Sequence, residues 1–200
     1  MKIRYNSVYC GRRIMANMPA FQASDESSIL SARTRYYMKK IVFIGQAPAR
    51  PSSKHEVPGT YLYAWLQKIG LSEEQISQNC YFYALIDHFP GSTQHGHAAP
   101  SSAQIAEHLP SLRASIVSVQ PDIIVPVGKQ AIEAILGAEG SKLVDIVGNR
   151  YEVDPLRALG RTITCIPLSH PSGRSTWNAV HKKQVADALS LLKGAAECQI

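Results

Sequence analysis

Four short apolar runs constrain this chain more than any other feature. They are IVFIG at 41–45, YFYALI at 81–86, DIIVPVG at 122–128 and TITCIPL at 162–168. Each is nearly continuous in hydrophobicity rather than alternating, the pattern of a strand covered on both faces. Helical spacing fills the gaps. GTYLYAWLQKIGL (59–71) opens after Pro58 and stops at Gly70. SSAQIAEHLPSLRASIVSV (101–119) opens on a serine cap, and its Pro110 should kink or break it. KQAIEAILG (129–137) ends on a capping glycine, and WNAVHKKQVADALSLLKGA (177–195) carries Val180, Val185, Ala188, Leu189 and Leu192 on one stripe. Strand and helix in strict alternation predict a parallel sheet with helices on both faces. The expected fold is a three-layer α/β/α sandwich around a central, mainly parallel four-stranded sheet. VDIVGNRYEV (144–153) is a candidate to add a hairpin partner to the last strand.

Length and charge narrow the class. The chain has 200 residues, 45% of them hydrophobic and 18% charged, enough for one domain with a sizeable core. No apolar run approaches the roughly 18 residues of a membrane span, and no signal peptide opens the chain. The expected setting is the cytoplasm of a bacterial cell, with no membrane partner. Cys10, Cys80, Cys165 and Cys198 form no C-x-x-C pair, which speaks against zinc ribbons and redox motifs. Residues 1–40 hold eight Lys/Arg against Asp25 and Glu26, which accounts for the whole net charge of +6. The basic balance that points to nucleic acid thus belongs to the leader. Residues 1–37 read either as a flexible basic arm or as an over-long start, with the domain occupying 38–200.

In open α/β sheets the ligand site lies beyond the carboxyl ends of the strands. Those ends read GQAPAR, DHFPG, GKQ and SHPSGR. Gly45 lets a ligand approach the backbone, Gln46 offers a donor and an acceptor, and Pro48 stiffens the turn. The phosphate-cradling G-x-x-x-x-G-K-[ST] pattern is absent. His170 ends an apolar strand and is followed by Pro171, Ser172, Gly173 and Arg174, a rigid loop able to hold a phosphate.

Paired across the sheet, GQAPA and SHPSGR resemble the two signature motifs of the uracil-DNA glycosylase superfamily, and YFYALIDHFPG resembles its middle segment. The resemblance covers about residues 40 to 195. It implies an enzyme that flips uracil out of DNA and hydrolyses its N-glycosidic bond, without a metal. His170 matches the histidine that faces the uracil O2. Gly45, Gln46, Ala47, Pro48 and Ala49 match the turn that handles water and base. Arg50, Ser172, Gly173, Arg174, Lys182 and Lys183 are the expected DNA contacts.

Three departures accompany the resemblance. Relatives place Asp or Asn at Ala47, or Glu at Gln46, whereas Gln46 can orient water but cannot take its proton. Asp87 is the nearest alternative acid by topology. Ala84 stands where relatives read the uracil edge with Asn, so that task falls to loop backbone, His88 or Asn79. This leaves hypoxanthine, xanthine and mismatched bases beside uracil as substrates. Tyr61, Phe89 and His55 are the candidates to stack on a flipped base. The iron–sulfur members carry a cluster cysteine where His88 stands, so no cluster and no other cofactor is expected. The implied state is a monomer.

Two other readings are weighed. A lesion-binding protein without turnover fits the missing acid. A hydrolase using Ser169, Ser172 and His170 lacks a G-x-S-x-G elbow, and adjacent strand residues face opposite ways.

Overall fold

The computed structural model describes residues 37–48, 60–93, 96–172 and 175–198. Ala49, Arg50, His55, Gly173, Arg174 and residues 1–36 of the basic leader lie outside the described residues, so the expectations placed on them stand as stated above.

The elements run β1 (Tyr37–Met38), β2 (Ile41–Gly45), α1 (Thr60–Lys68), α2 (Glu73–Asn79), β3 (Cys80–Ala84), β4 (Ser92–Thr93), β5 (Gly96–His97), α3 (Ser102–Val119), β6 (Ile123–Pro126), α4 (Lys129–Leu136), α5 (Leu143–Ile146), β7 (Tyr151–Val153), β8 (Ile163–Cys165), α6 (Thr176–Val180), α7 (Lys182–Ala196) and β9 (Glu197–Cys198). The central sheet has the order β3-β2-β6-β8-β7. Its first four strands are parallel and β7 pairs antiparallel with β8. The mainly parallel sheet is therefore as expected, but it has five strands rather than four. The fifth is the hairpin partner suggested by 144–153, reduced to Tyr151–Val153 because residues 143–146 form a short helix instead.

Alternation along β2 sends Ile41 and Phe43 to one face and Val42 and Ile44 to the other, all fully buried. On the first face they meet Leu62 and Leu66 of α1, Ile76 of α2 and Ala188, Leu189 and Leu192 of α7. On the second they meet Leu112 and Ile116 of α3 and Ala131 and Ile135 of α4. Helices thus cover the sheet on both sides, which makes the three layers. The edge strand β3 departs from the expectation of burial on both faces. Its Phe82 is exposed, although its ring stacks on Phe43 with centroids 5.2 Å apart.

Two helices correct the sequence reading. Helix α3 runs unbroken through Pro110. Pro110 and Ala106, whose carbonyl loses its helical partner to the proline, are both exposed, so water can take that carbonyl. Burial of Leu112, Ile116 and Val119 on the opposite face holds the helix together. The last helical segment is not one helix but two, broken at His181 (φ −103, ψ 47). The Trp177 ring packs against the His181 ring with centroids 4.5 Å apart and a tilt of 38°, and Val180, assigned to the apolar stripe, is 75% exposed. Helix α2 was absent from the sequence reading, although Ser72 and Gln75 spell a reciprocal capping box. Among the described residues no helix is long and apolar enough to cross a membrane.

Candidate active site

The site is assembled by backbone pairing. Gly45 sits opposite Ala84, and the Leu85 N–H donates to the Gly45 carbonyl at 3.0 Å. On the other side of β2, the Val127 N–H donates to the Ile44 carbonyl at 2.8 Å. Pro126 has no N–H to give, so regular β6–β8 pairing stops after Ile124 and Cys165. It resumes in the same register as a single bridge, Val127 with Leu168. The Gly128 N–H then donates to the Leu168 carbonyl at 2.8 Å. These bonds bring Gln46, Leu85, Gly128 and Ser169 to neighbouring strand ends, with Asp87 and His170 one or two residues beyond.

Gly128 is the residue that sequence reasoning missed. Its φ of +86 with ψ of 163 is a conformation reserved for glycine. A side chain there would point at the histidine: a Cβ built on Gly128 lies 3.5 Å from His170 Cβ and 3.8 Å from Cδ2. The imidazole therefore lies beside the start of α4, which no side chain caps among the described residues. The positive end of that helix faces the same space. Gly45, by contrast, has no positive φ, and among the described residues a Cβ on it would meet only the Tyr83 carbonyl, at 3.8 Å.

The loop behind His170 is pinned from within. The His170 carbonyl accepts from the Ser172 N–H at 2.8 Å and from Asn178 Nδ2 at 2.9 Å. The Ser172 carbonyl accepts from the Ser175 N–H at 3.0 Å, and Ser175 Oγ accepts from the Asn178 N–H at 3.2 Å to cap α6. His170 itself is exposed, and Pro171 and Ser172 are half-buried. Among the described residues, Ser169 Oγ, Asn178 Oδ1 and Gln130 Oε1 are buried with no hydrogen-bond partner. Ser169 precedes His170, Asn178 holds its carbonyl, and Gln130 sits in the first turn of α4. Unsatisfied buried acceptors are uncommon, and these three belong to the segments that frame the histidine.

The first motif keeps Gly45, Gln46, Ala47 and Pro48 half-buried. Asp87 is tied to two imidazoles. Its Oδ1 lies 3.1 Å from His88 Nδ1 and 3.2 Å from His108 Nε2. His88 Nε2 faces the Gln104 amide nitrogen at 3.3 Å. His108 and Gln104 carried no signal in the sequence, because a histidine on a long helix has many uses.

One other expected residue falls further away. Asn79 caps α2 by donating to the Gln75 carbonyl at 3.1 Å. It precedes β3, five residues or about 16 Å from the carboxyl end of that strand, so it is removed from the base-reading candidates. Tyr61 is 59% exposed on α1 and Phe89 is half-buried after β3. Lys182 and Lys183 are exposed at the start of α7, and Lys183 reaches Asp187 at 3.4 Å one turn on.

Comparison with known proteins agrees with this geometry. No curated protein matches the chain. The family model described as the Uracil DNA glycosylase superfamily matches residues 35–193, a span that holds every strand of the central sheet and all four strand-end loops. The chain therefore belongs to the uracil-DNA glycosylase superfamily, and its role is of the DNA-repair glycosylase type.

Proposed function

We propose that the chain is a monofunctional uracil-DNA glycosylase that acts on DNA as a monomer. It flips a uracil from the helix and cleaves the bond between sugar C1′ and base N1. Both bonding electrons leave with N1, which gives an oxocarbenium-like sugar and a uracil anion. Water adds to C1′ and loses a proton, and the base is released protonated. The reading is carried by the placement of His170 beside Gly128 and the uncapped start of α4. A donor and a helix N-terminus aimed at one small space suit an anion that forms only as the bond breaks. The His170 ring needs one N–H toward the base oxygen, which a neutral imidazole supplies.

Water handling falls to Gln46 and Asp87, the polar side chains carried beyond β2 and β3. Gln46 orients water through its side-chain oxygen, which is enough when bond breaking runs ahead of water attack. Gly45, Ala47, Pro48, Ala49, His88 and Phe89 line the base. Arg50, Ser172, Gly173, Arg174, Lys182 and Lys183 contact the DNA strand, so binding weakens with salt.

The test is strand scission of a uracil-containing oligonucleotide after alkali. His170→Ala is expected to lower single-turnover cleavage about 100- to 1,000-fold, the loss seen when one preorganised donor is removed. Wild-type cleavage by that variant refutes the assignment. Gln46→Ala against Asp87→Asn then identifies the water-handling group. The absence of an acid from Gln46-Ala47 also favours a second reading, a lesion binder without turnover, and specific binding without scission by the unaltered protein establishes it.

A further inference from the structure

The cluster at the end of β3 has a use that base excision does not require of it. Three side chains converge there: Asp87 and His88 from the loop after β3, and His108 from the second turn of α3. One ligand atom from each lies within 4.8 Å of the others. Both imidazoles direct a ring nitrogen at the same carboxylate oxygen, at 3.1 and 3.2 Å. Ligand atoms on a tetrahedral Zn2+, with bonds of about 2.0–2.2 Å, stand about 3.3 Å apart. Two of the three separations thus already match, and the rings, with centroids 5.3 Å apart and tilted by 52°, are not stacked against each other.

We propose that Asp87, His88 and His108 bind one first-row divalent cation, with Zn2+ as the reference metal. Two neutral imidazoles and one carboxylate form a borderline donor set suited to Zn2+ or Co2+ rather than to Ca2+ or Mg2+. Side-chain exposures of 51%, 48% and 20% leave the cation open to solvent on one side, so water completes the coordination. Binding requires no net loss of protons. The N–H that each imidazole directs at Asp87 moves to its other ring nitrogen, and the vacated lone pair takes the metal. For His88 the proton arrives at Nε2, which now faces the Gln104 amide nitrogen at 3.3 Å. An acceptor at position 104 would favour that tautomer. Gln104→Glu supplies one and preserves the capping box with Ser101, in which Gln104 Oε1 accepts from the Ser101 N–H at 2.9 Å. The bound ion would fasten the DHFPG loop to α3. The proposal does not depend on the role of Asp87 in hydrolysis, because its readout is metal binding.

The experiment uses the untagged full chain, stripped with chelator and titrated with Co2+ by visible absorption, then with Zn2+ as competitor. Expected are one equivalent of Co2+, a ligand-field band that Zn2+ abolishes, and a higher melting temperature with either metal. His88→Gln and His108→Gln should each weaken binding by at least about 10- to 100-fold, the loss produced even by removing outer-shell partners. Gln104→Glu should tighten it. His88 lies on an exposed loop, so His88→Gln tests the site even if His108→Gln disturbs α3. No Co2+ band from chain with an intact circular dichroism spectrum overturns the proposal. So does unchanged affinity in the His88→Gln/His108→Gln double variant, which would move the metal to other histidines such as His95 or His97.

Discussion

Gly128→Ala is the substitution from which most can be worked out. At φ +86 and ψ 163 a side chain is held in a region occupied almost only by glycine, at a strain of about 1–3 kcal/mol. Alanine also narrows the unfolded ensemble, which returns about 0.4–1 kcal/mol. The middle of each range leaves a net destabilisation of about 1.3 kcal/mol. Sterics add little, because the new Cβ meets His170 Cβ at 3.5 Å and Cδ2 at 3.8 Å, which is ordinary contact. For a chain near 200 residues, each kcal/mol lowers the melting temperature by about 2–4 °C, so the midpoint should fall by roughly 3–5 °C. Gly137→Ala is the control. It also sits at positive φ (+65) but has nothing within 4 Å, so it should destabilise without touching the site. Gly128→Leu extends the same Cβ over the imidazole and should reduce cleavage well beyond its effect on folding. Circular dichroism melts and single-turnover scission, run where every variant is folded, separate the two effects. A Gly128→Ala midpoint equal to wild type refutes the backbone argument. Wild-type cleavage by Gly128→Leu refutes the placement of His170 over Gly128.

Gly45→Ala should leave the melting temperature within about 1–2 °C of wild type while weakening cleavage, since among the described residues its Cβ meets only the Tyr83 carbonyl, at 3.8 Å. Asp154→Ala should destabilise by roughly 1.5–3 kcal/mol in urea denaturation, because its two oxygens accept from the Leu159 and Gly160 N–H groups, both at 2.9 Å. Burial pushes the thiols of Cys80 and Cys165 up to about 12, so neither should react with a disulfide reagent at neutral pH until the chain is unfolded. The same shift makes alkaline stability fall. In the unfolded chain both thiols ionise near their ordinary value of 9.0 while the folded chain keeps its protons, so stability held below pH 9.0 is lost as pH rises toward about 12. Denaturant midpoints measured through that range check the sign.

Some of this architecture is legible in the sequence because it is driven by burial. IVFIG, DIIVPVG and TITCIPL read as strands because both faces of a central strand are apolar, and Ile41, Ile123 and Ile166 are all fully buried. YFYALI reads the same way and yet lies at the edge, because aromatic rings can stack on one neighbour and still meet water, as Phe82 does on Phe43. Pro110 and His181 show the opposite limit. Local chemistry points to a break at the proline, but exposure of that helix face removes the need for one. The break comes instead at His181, after a turn in which the tilted Trp177 and His181 rings pack together. His170 is readable as a strand-end residue because the apolar run before it stops at Leu168, the last residue bridged to the sheet. His108, Gln104 and Asn178 are not, because each is placed by a tertiary contact with a residue 8 to 21 positions away that no periodicity encodes.

The two strand-end glycines show how the fold and the reaction divide the same sheet edge. Gly128 answers to the fold: Pro126 interrupts the ladder, the chain must turn into α4, and only glycine takes the resulting φ of +86. His170 stands beside it, 3.5 Å from where a Cβ on Gly128 would lie. Gly45 has no positive φ, and among the described residues a Cβ on it would be in ordinary contact with the Tyr83 carbonyl alone, so the fold described does not require a glycine there. In the proposed reaction, a carboxylate in the first motif would add negative charge to a space that must accept a departing anion. Gln46-Ala47 brings no such charge of its own. An arrangement of this kind favours departure of the base over activation of water. On that ground the rate of the Gln46→Ala variant should fall far less than that of His170→Ala, and the reverse order would mean that water attack, not base departure, limits the reaction.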